Sequence, residues 1–121
     1  MLLSTCHCGE VQIEIDLPNG IENPTRCNCS FCRRRGAIMA FVELDKLKVV
    51  KGKNCLSTYQ FGSFTAKHYF CSNCGIYTHH QRRSNQNQFA FNIGCVDEID
   101  IFKLEDVKLF DGKNHPSDKK V

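Results

Sequence analysis

The chain has 121 residues, a formal net charge of +3, 41% hydrophobic residues and nine cysteines. That length predicts one domain over residues 1–121, with apolar residues enough for a core but a size at which a bound metal still adds materially to stability. No apolar run approaches the roughly 20 residues of a membrane-spanning helix, and Met1-Leu2-Leu3 gives way at once to polar residues and Cys6, so neither a membrane partner nor a signal peptide is expected.

In chain order, Val11, Ile13, Ile15 and Leu17 alternate with Glu10, Gln12, Glu14 and Asp16, the pattern of a half-buried strand. Pro18-Asn19-Gly20 ends it. Ser30 to Arg35 has room for only a turn or two of helix, which Gly36 can terminate. Ala37 to Val42 and Leu47 to Val50 read as strands. Leu56 to Phe61 and Phe64 to Phe70 read as a hairpin around Gly62-Ser63. Ile76 to His80 and Gln88 to Ile93 form a further pair. Asp97 to Leu104 holds a helical turn, Val107 to Phe110 a last short strand, and Asp111 onward is a loosely held polar tail. Nothing shows helical periodicity over three turns, so the expected fold is mainly β, built of short antiparallel strands with little helix.

Seven of the nine cysteines fall into three tight groups: Cys6-His7-Cys8, Cys27-Asn28-Cys29-Ser30-Phe31-Cys32 and Cys71-Ser72-Asn73-Cys74. An odd total argues against a fully paired disulfide framework, and clustered cysteines point to metal in a reducing cytoplasm. Cys6 and Cys8, read as i and i+2 on an extended segment, turn both sulfurs to one side. Cys71 to Cys74 is a CxxC knuckle. Each pair is followed by glycine, Gly9 or Gly75, which permits a turn. Together they offer four thiolates, the number that closes a structural zinc site. An iron–sulfur cluster would use the same four, and buried free cysteines are the plain alternative. Cys27, Cys29 and Cys32 offer three, and a site with three protein ligands keeps a position open for chemistry. A closed site completed by a remote histidine, Cys55 or Cys95 is the competing reading, and spacing alone allows other divisions of the seven. Seven thiolates add −7 and two zinc ions +4, which takes the +3 of the bare chain to zero and leaves no electrostatic case for nucleic acid.

Thr5-Cys6-His7-Cys8-Gly9-Glu10-Val11, Cys27-Asn28-Cys29-Ser30-Phe31-Cys32-Arg33-Arg34, Phe70-Cys71-Ser72-Asn73-Cys74-Gly75 and Asn92-Ile93-Gly94-Cys95-Val96-Asp97 succeed one another along the chain. In that combination the sequence resembles the glutathione-dependent formaldehyde-activating enzyme family, which also includes centromere protein V, over roughly residues 4 to 110. The resemblance implies a β-tent fold like that of the Mss4 zinc proteins. It implies two zinc ions per chain, a structural one on Cys6, Cys8, Cys71 and Cys74 and a catalytic one on Cys27, Cys29 and Cys32. It also implies carbon–sulfur lyase chemistry on a glutathione adduct, such as S-hydroxymethylglutathione formed from formaldehyde. It carries no role onto the segment from Asp111 to Asp118.

Two functions compete on these residues. In the first, a small thiol such as glutathione takes the open position beside Cys27, Cys29 and Cys32, and Arg33, Arg34 and Arg35 hold its carboxylates. Each of those arginines also fits a solvated basic turn. In the second, both metals are structural and the arginine run contacts a protein or nucleic acid; the run is short and lacks interleaved aromatics, which weakens the nucleic-acid version. His7 is expected to point away from the first cysteine pair. His68, His79 and His80 read as surface or packed residues rather than ligands. Tyr59 and Tyr77 read as core residues with the hydroxyl at the surface, and Cys55 and Cys95 as core.

Overall fold

The computed structural model describes residues 1–114. The fold is mainly β, as the short alternating runs predict, with two sheets and a single α-helix among the described residues. The smaller sheet joins β1 (Leu2–Thr5), β2 (Gln12–Ile15) and β5 (Leu47–Lys51) in the order β1-β2-β5. The larger has seven strands: β3 (Thr25–Cys27), β4 (Met39–Glu43), β6 (Leu56–Tyr59), β7 (Lys67–Cys71), β8 (Tyr77–Gln81), β9 (Gln88–Asn92) and β10 (Lys108–Phe110). Their order is β10-β3-β4-β9-β8-β7-β6, antiparallel throughout except for the parallel β10–β3 pair. The helix, α1, spans Ser30–Arg35.

The alternation of β2 works as its sequence promises. Val11, Ile13 and Ile15 are buried, Glu14 is exposed, and the inner three join Ile38, Ala40, Val42, Phe91, Ile93 and Val96 in one core. Leu17, at the end of the same face, packs against that core. β8 differs in kind. It lies between β7 and β9, and Thr78, His79 and His80 are all buried on it. A strand buried on both faces has no polar side for its histidines to occupy.

Two strands are not visible as patterns in the sequence. β1 reads Leu-Leu-Ser-Thr, which does not alternate, and β3 is three residues that become a strand only through pairing with β4 and β10. The first cysteine pair is also not extended. Cys6 closes β1 and the chain turns at once, with Gly9 N–H donating to the Cys6 carbonyl at 3.2 Å and Cys6 N–H to the Val11 carbonyl at 3.1 Å. The pair therefore sits in the loop of the β1–β2 hairpin, where Gly9 at φ +81° supplies the left-handed residue that the turn needs. Nor is the chain a loose tail from Asp111 onward. Gly112–Asn114 forms a 3-10 turn with Gly112 buried. The rest of the expected tail, 115–121, lies outside the described residues.

Gly52 lets the chain leaving β5 pass close to the start of β2. Its φ is +78°, and a Cβ there would overlap the Glu10 carbonyl and come 3.0 Å from Val11 Cα. Gly52→Ala is predicted to lower unfolding free energy by about 2–4 kcal/mol, since strain and overlap act together. Urea melts of the protein check this; an unchanged midpoint would contradict the close approach.

Candidate functional site

Two cysteine groups form in space, and they divide as four and three. The Sγ atoms of Cys6, Cys8, Cys71 and Cys74 lie within 4.8 Å of one another, and so do those of Cys27, Cys29 and Cys32. Neither Cys55, Cys95 nor a histidine joins the group of three among the described residues. Cys95 instead points its thiol at the Tyr77 carbonyl, 3.6 Å away, and burial pushes its pKa up to about 12. His7 is exposed and stands apart from both groups.

The four-cysteine group is built by two turns facing each other. Val11 N–H donates to Cys6 Sγ at 3.3 Å. Across from it, Gly75 N–H donates to the Cys71 carbonyl at 2.7 Å and closes the second knuckle. The Cys8 backbone N–H lowers the Cys74 thiol to about 6, while burial raises Cys71 to about 11. The fold thus prepares some sulfurs as thiolates and leaves others dependent on a cation.

The three-cysteine group is assembled from three separate causes. β3 delivers Cys27 at its last residue. Cys29 is the N-cap of α1, and its sulfur accepts the Cys32 N–H at 3.3 Å, the role a serine or aspartate oxygen plays at most helix starts. Cys32 lies within the helix, which Gly36 ends at φ +67° by donating its N–H to the Cys32 carbonyl. Cys32 shares its proton with Cys27, which drops Cys27 to about 5; the same sharing, with burial, raises Cys32. The Cys27 thiolate therefore forms readily and the Cys32 thiolate does not, unless a cation compensates it. A soft divalent metal such as zinc suits that donor set, and its binding would release the remaining protons.

A strap from the C-terminal end completes this group. The parallel β10–β3 pairing aligns Phe110 with Cys27. Asn28 then clamps the segment beyond β10, its amide donating to Asp111 Oδ1 at 3.2 Å and its Oδ1 accepting Lys113 N–H at 2.9 Å. Gly112 N–H bonds to the Cys27 sulfur. A Cβ at Gly112 would overlap that sulfur and come 3.1 Å from Cys29 Cβ. The sequence patterns assign no role to this segment; the available signal is a glycine shortly after an expected strand.

The arginine run splits. Arg33 and Arg34 are exposed, as a solvated basic turn would be. Arg35 is not. Its guanidinium lies 3.6 Å from the Tyr77 ring centroid and 4.6 Å from that of Phe31. It reaches Cys32 Sγ at 3.5 Å, His68 Nδ1 at 3.1 Å and His80 Nδ1 at 3.3 Å. Tyr77 is turned inward as well, its hydroxyl 2.7 Å from His80 Nδ1, contrary to the expected surface position. Burial and Arg35 together hold His68 at about 3, and burial holds His79 at about 4. The i, i+3 spacing from Cys32 to Arg35 is the available clue, because it puts the two on one helix face.

Cys27, Cys29 and Cys32 line a cavity of about 380 Å³, walled by Phe31, Met39, Phe41 and Phe61 and by both His68 and His80. None of the four other clustered cysteines lines it. These features define a mainly β protein with two thiolate groups able to hold metal ions, one of them at a ligand-sized cavity. The family model of the glutathione-dependent formaldehyde-activating enzyme matches residues 1–111, and the chain belongs to that family. The chain is also similar to a protein of Rhodobacter sphaeroides known from its crystal structure. The two share 50% sequence identity with a TM-score of 0.86, and the match covers 90% of this chain and 100% of that one.

The strap and the buried histidines can each be tested. Gly112→Ala is expected to lose metal from the three-cysteine group while keeping it at the four-cysteine group. Metal content per chain, measured under reducing conditions, would then fall by one ion with the circular dichroism unchanged. The histidines bear on acid stability. A free histidine titrates near 6.5. His68 and His79 stay neutral in the fold, so the unfolded chain binds more protons below that pH. Their contribution is full above about pH 6.5 and fades as pH falls toward about 4 and about 3. At equal zinc, His79→Leu should flatten the loss of melting temperature between about pH 6.5 and about pH 4. A slope equal to that of the wild type would rule out the histidine contribution.

Proposed function

We propose that this protein joins the thiol of glutathione to a small aldehyde, formaldehyde foremost, or cleaves the same carbon–sulfur bond in reverse. The carrying observation is the position of the three-cysteine group on the wall of the cavity, with the four-cysteine group elsewhere. Cys6, Cys8, Cys71 and Cys74 hold a structural zinc that ties the β1–β2 hairpin to the β7–β8 turn. Cys27, Cys29 and Cys32 hold the second. A zinc ion bound there would supply a Lewis acid that lowers the pKa of a thiol reaching it.

The residues of the chain do the rest. Phe31, Met39, Phe41 and Phe61 exclude water around the reacting atoms. Arg82 and Lys113, which line the cavity, provide cations for the carboxylates of glutathione, in place of Arg33 and Arg34. Arg82 is steadied for this by the Phe41 ring, 4.0 Å from its guanidinium carbon, and by Gln88 Oε1 at 2.7 Å. The whole chain acts as one domain, and a reducing cytoplasm suits its nine free cysteines.

Cys29→Ser tests the division of labour. It is expected to stay folded, lose one of two zinc ions, and lose catalysis of adduct formation between glutathione and isotope-labelled formaldehyde, followed by NMR. Wild-type rates in this variant, or no acceleration by the zinc-loaded wild type over the uncatalysed reaction, would refute the assignment. Unfolding of the variant would show that the metal on this group is structural.

A further inference from the structure

The hydrogen bonds around Arg35 determine where two histidines carry their protons. Arginine has donors only and stays charged. Its nitrogens face His68 Nδ1 at 3.1 Å and His80 Nδ1 at 3.3 Å, so both Nδ1 atoms must be acceptors. For His80 the Tyr77 hydroxyl adds a second donor to the same atom, at 2.7 Å. A neutral ring whose Nδ1 accepts carries its proton on Nε2. The two rings are cross-strand partners in the β7–β8 register, with centroids 4.7 Å apart. Both line the cavity that the three-cysteine group opens onto. Phe31 packs edge-on against His68 at 4.6 Å and Phe61 stacks on it at 5.6 Å, which holds the ring in place.

We infer that His68 and His80 are catalytic residues that present their Nε2–H groups to the carbonyl oxygen of the aldehyde, and that Arg35 is the positioning residue that fixes their tautomer. The inference rests on the thiol–aldehyde chemistry proposed above and adds to it the site of the developing oxyanion. In the addition, the sulfur lone pair forms the carbon–sulfur bond and the carbonyl π pair moves onto oxygen. The two N–H groups hydrogen-bond that oxygen as its charge grows. The oxygen then takes from water a proton equivalent to the one the thiol gave up, and both histidines finish neutral. A fixed neutral imidazole suits this task, because its N–H is aimed in advance and costs no reorganisation. Burial, with the cation beside them, keeps both rings from charging.

Two measurements on the zinc-loaded protein test this. Histidine nitrogen NMR at neutral pH should show His68 and His80 with bare Nδ1 and protonated Nε2. Either ring protonated on Nδ1 overturns the inference whether or not the enzyme turns over. In the adduct assay, His68→Leu should lower kcat about 10²-fold, with zinc content and the KM for glutathione unchanged, and His68→Gln, which restores an N–H near the Nε2 position, should recover about tenfold of that. Equal rates in wild type and His68→Leu, or equal rates in the Leu and Gln variants, would overturn the donor role and leave the proposed reaction standing. No turnover by the wild type would remove the reaction, and this inference with it.

Discussion

The structure depends on the cost of bringing thiols together. Three or four sulfurs within 4.8 Å repel as they ionise, and only a cation makes the fully ionised set favourable. The chain meets that constraint at both groups by spending turns on it. Gly9 and Gly75 shape the facing knuckles of one group, and the Cys29 cap, Gly36 and the Gly112 strap shape the other. Backbone N–H groups reach sulfur in both places, which prepares part of the charge before any metal arrives.

What separates the two groups is their surroundings. The four-cysteine group joins a hairpin loop of the small sheet to the β7–β8 turn of the large one, with Cys6 and Cys71 buried against the core. The three-cysteine group sits where β3, α1 and the segment after β10 converge, open to a cavity. Beside it, the Arg35 guanidinium stacks on Tyr77 and bonds to two imidazoles and two sulfurs, those of Cys32 and Met39, rather than to a carboxylate. Its Nε has no partner among the described residues. Such a placement costs stability, and it is understandable where the histidines it orients have work to do.

Much of this is legible in the sequence because metal ligands announce themselves by spacing. The grouping of seven cysteines, the Ser30–Arg35 helix and the inward face of β2 all come from local pattern. The resemblance to the formaldehyde-activating family is confirmed by the match over residues 1–111. The hidden features depend on long-range pairing. β3 is a strand only because β4 and β10 flank it, and Gly112 matters only because β10 lies parallel to β3. The inward turn of His80 and Tyr77 comes from β8 lying between β7 and β9, and that of His68 from β7 lying between β8 and β6, which single-residue tendencies do not foretell.

The proposed function gives the two groups different burdens, the fold to one and the chemistry to the other. Stepwise zinc removal with a graded chelator, monitored by circular dichroism and by metal content, tests this division most directly. The predicted result is two ions per chain, with the first leaving while the spectrum stays intact and the second leaving only as the protein unfolds. A single ion per chain, or two ions that depart together with the fold, would contradict it.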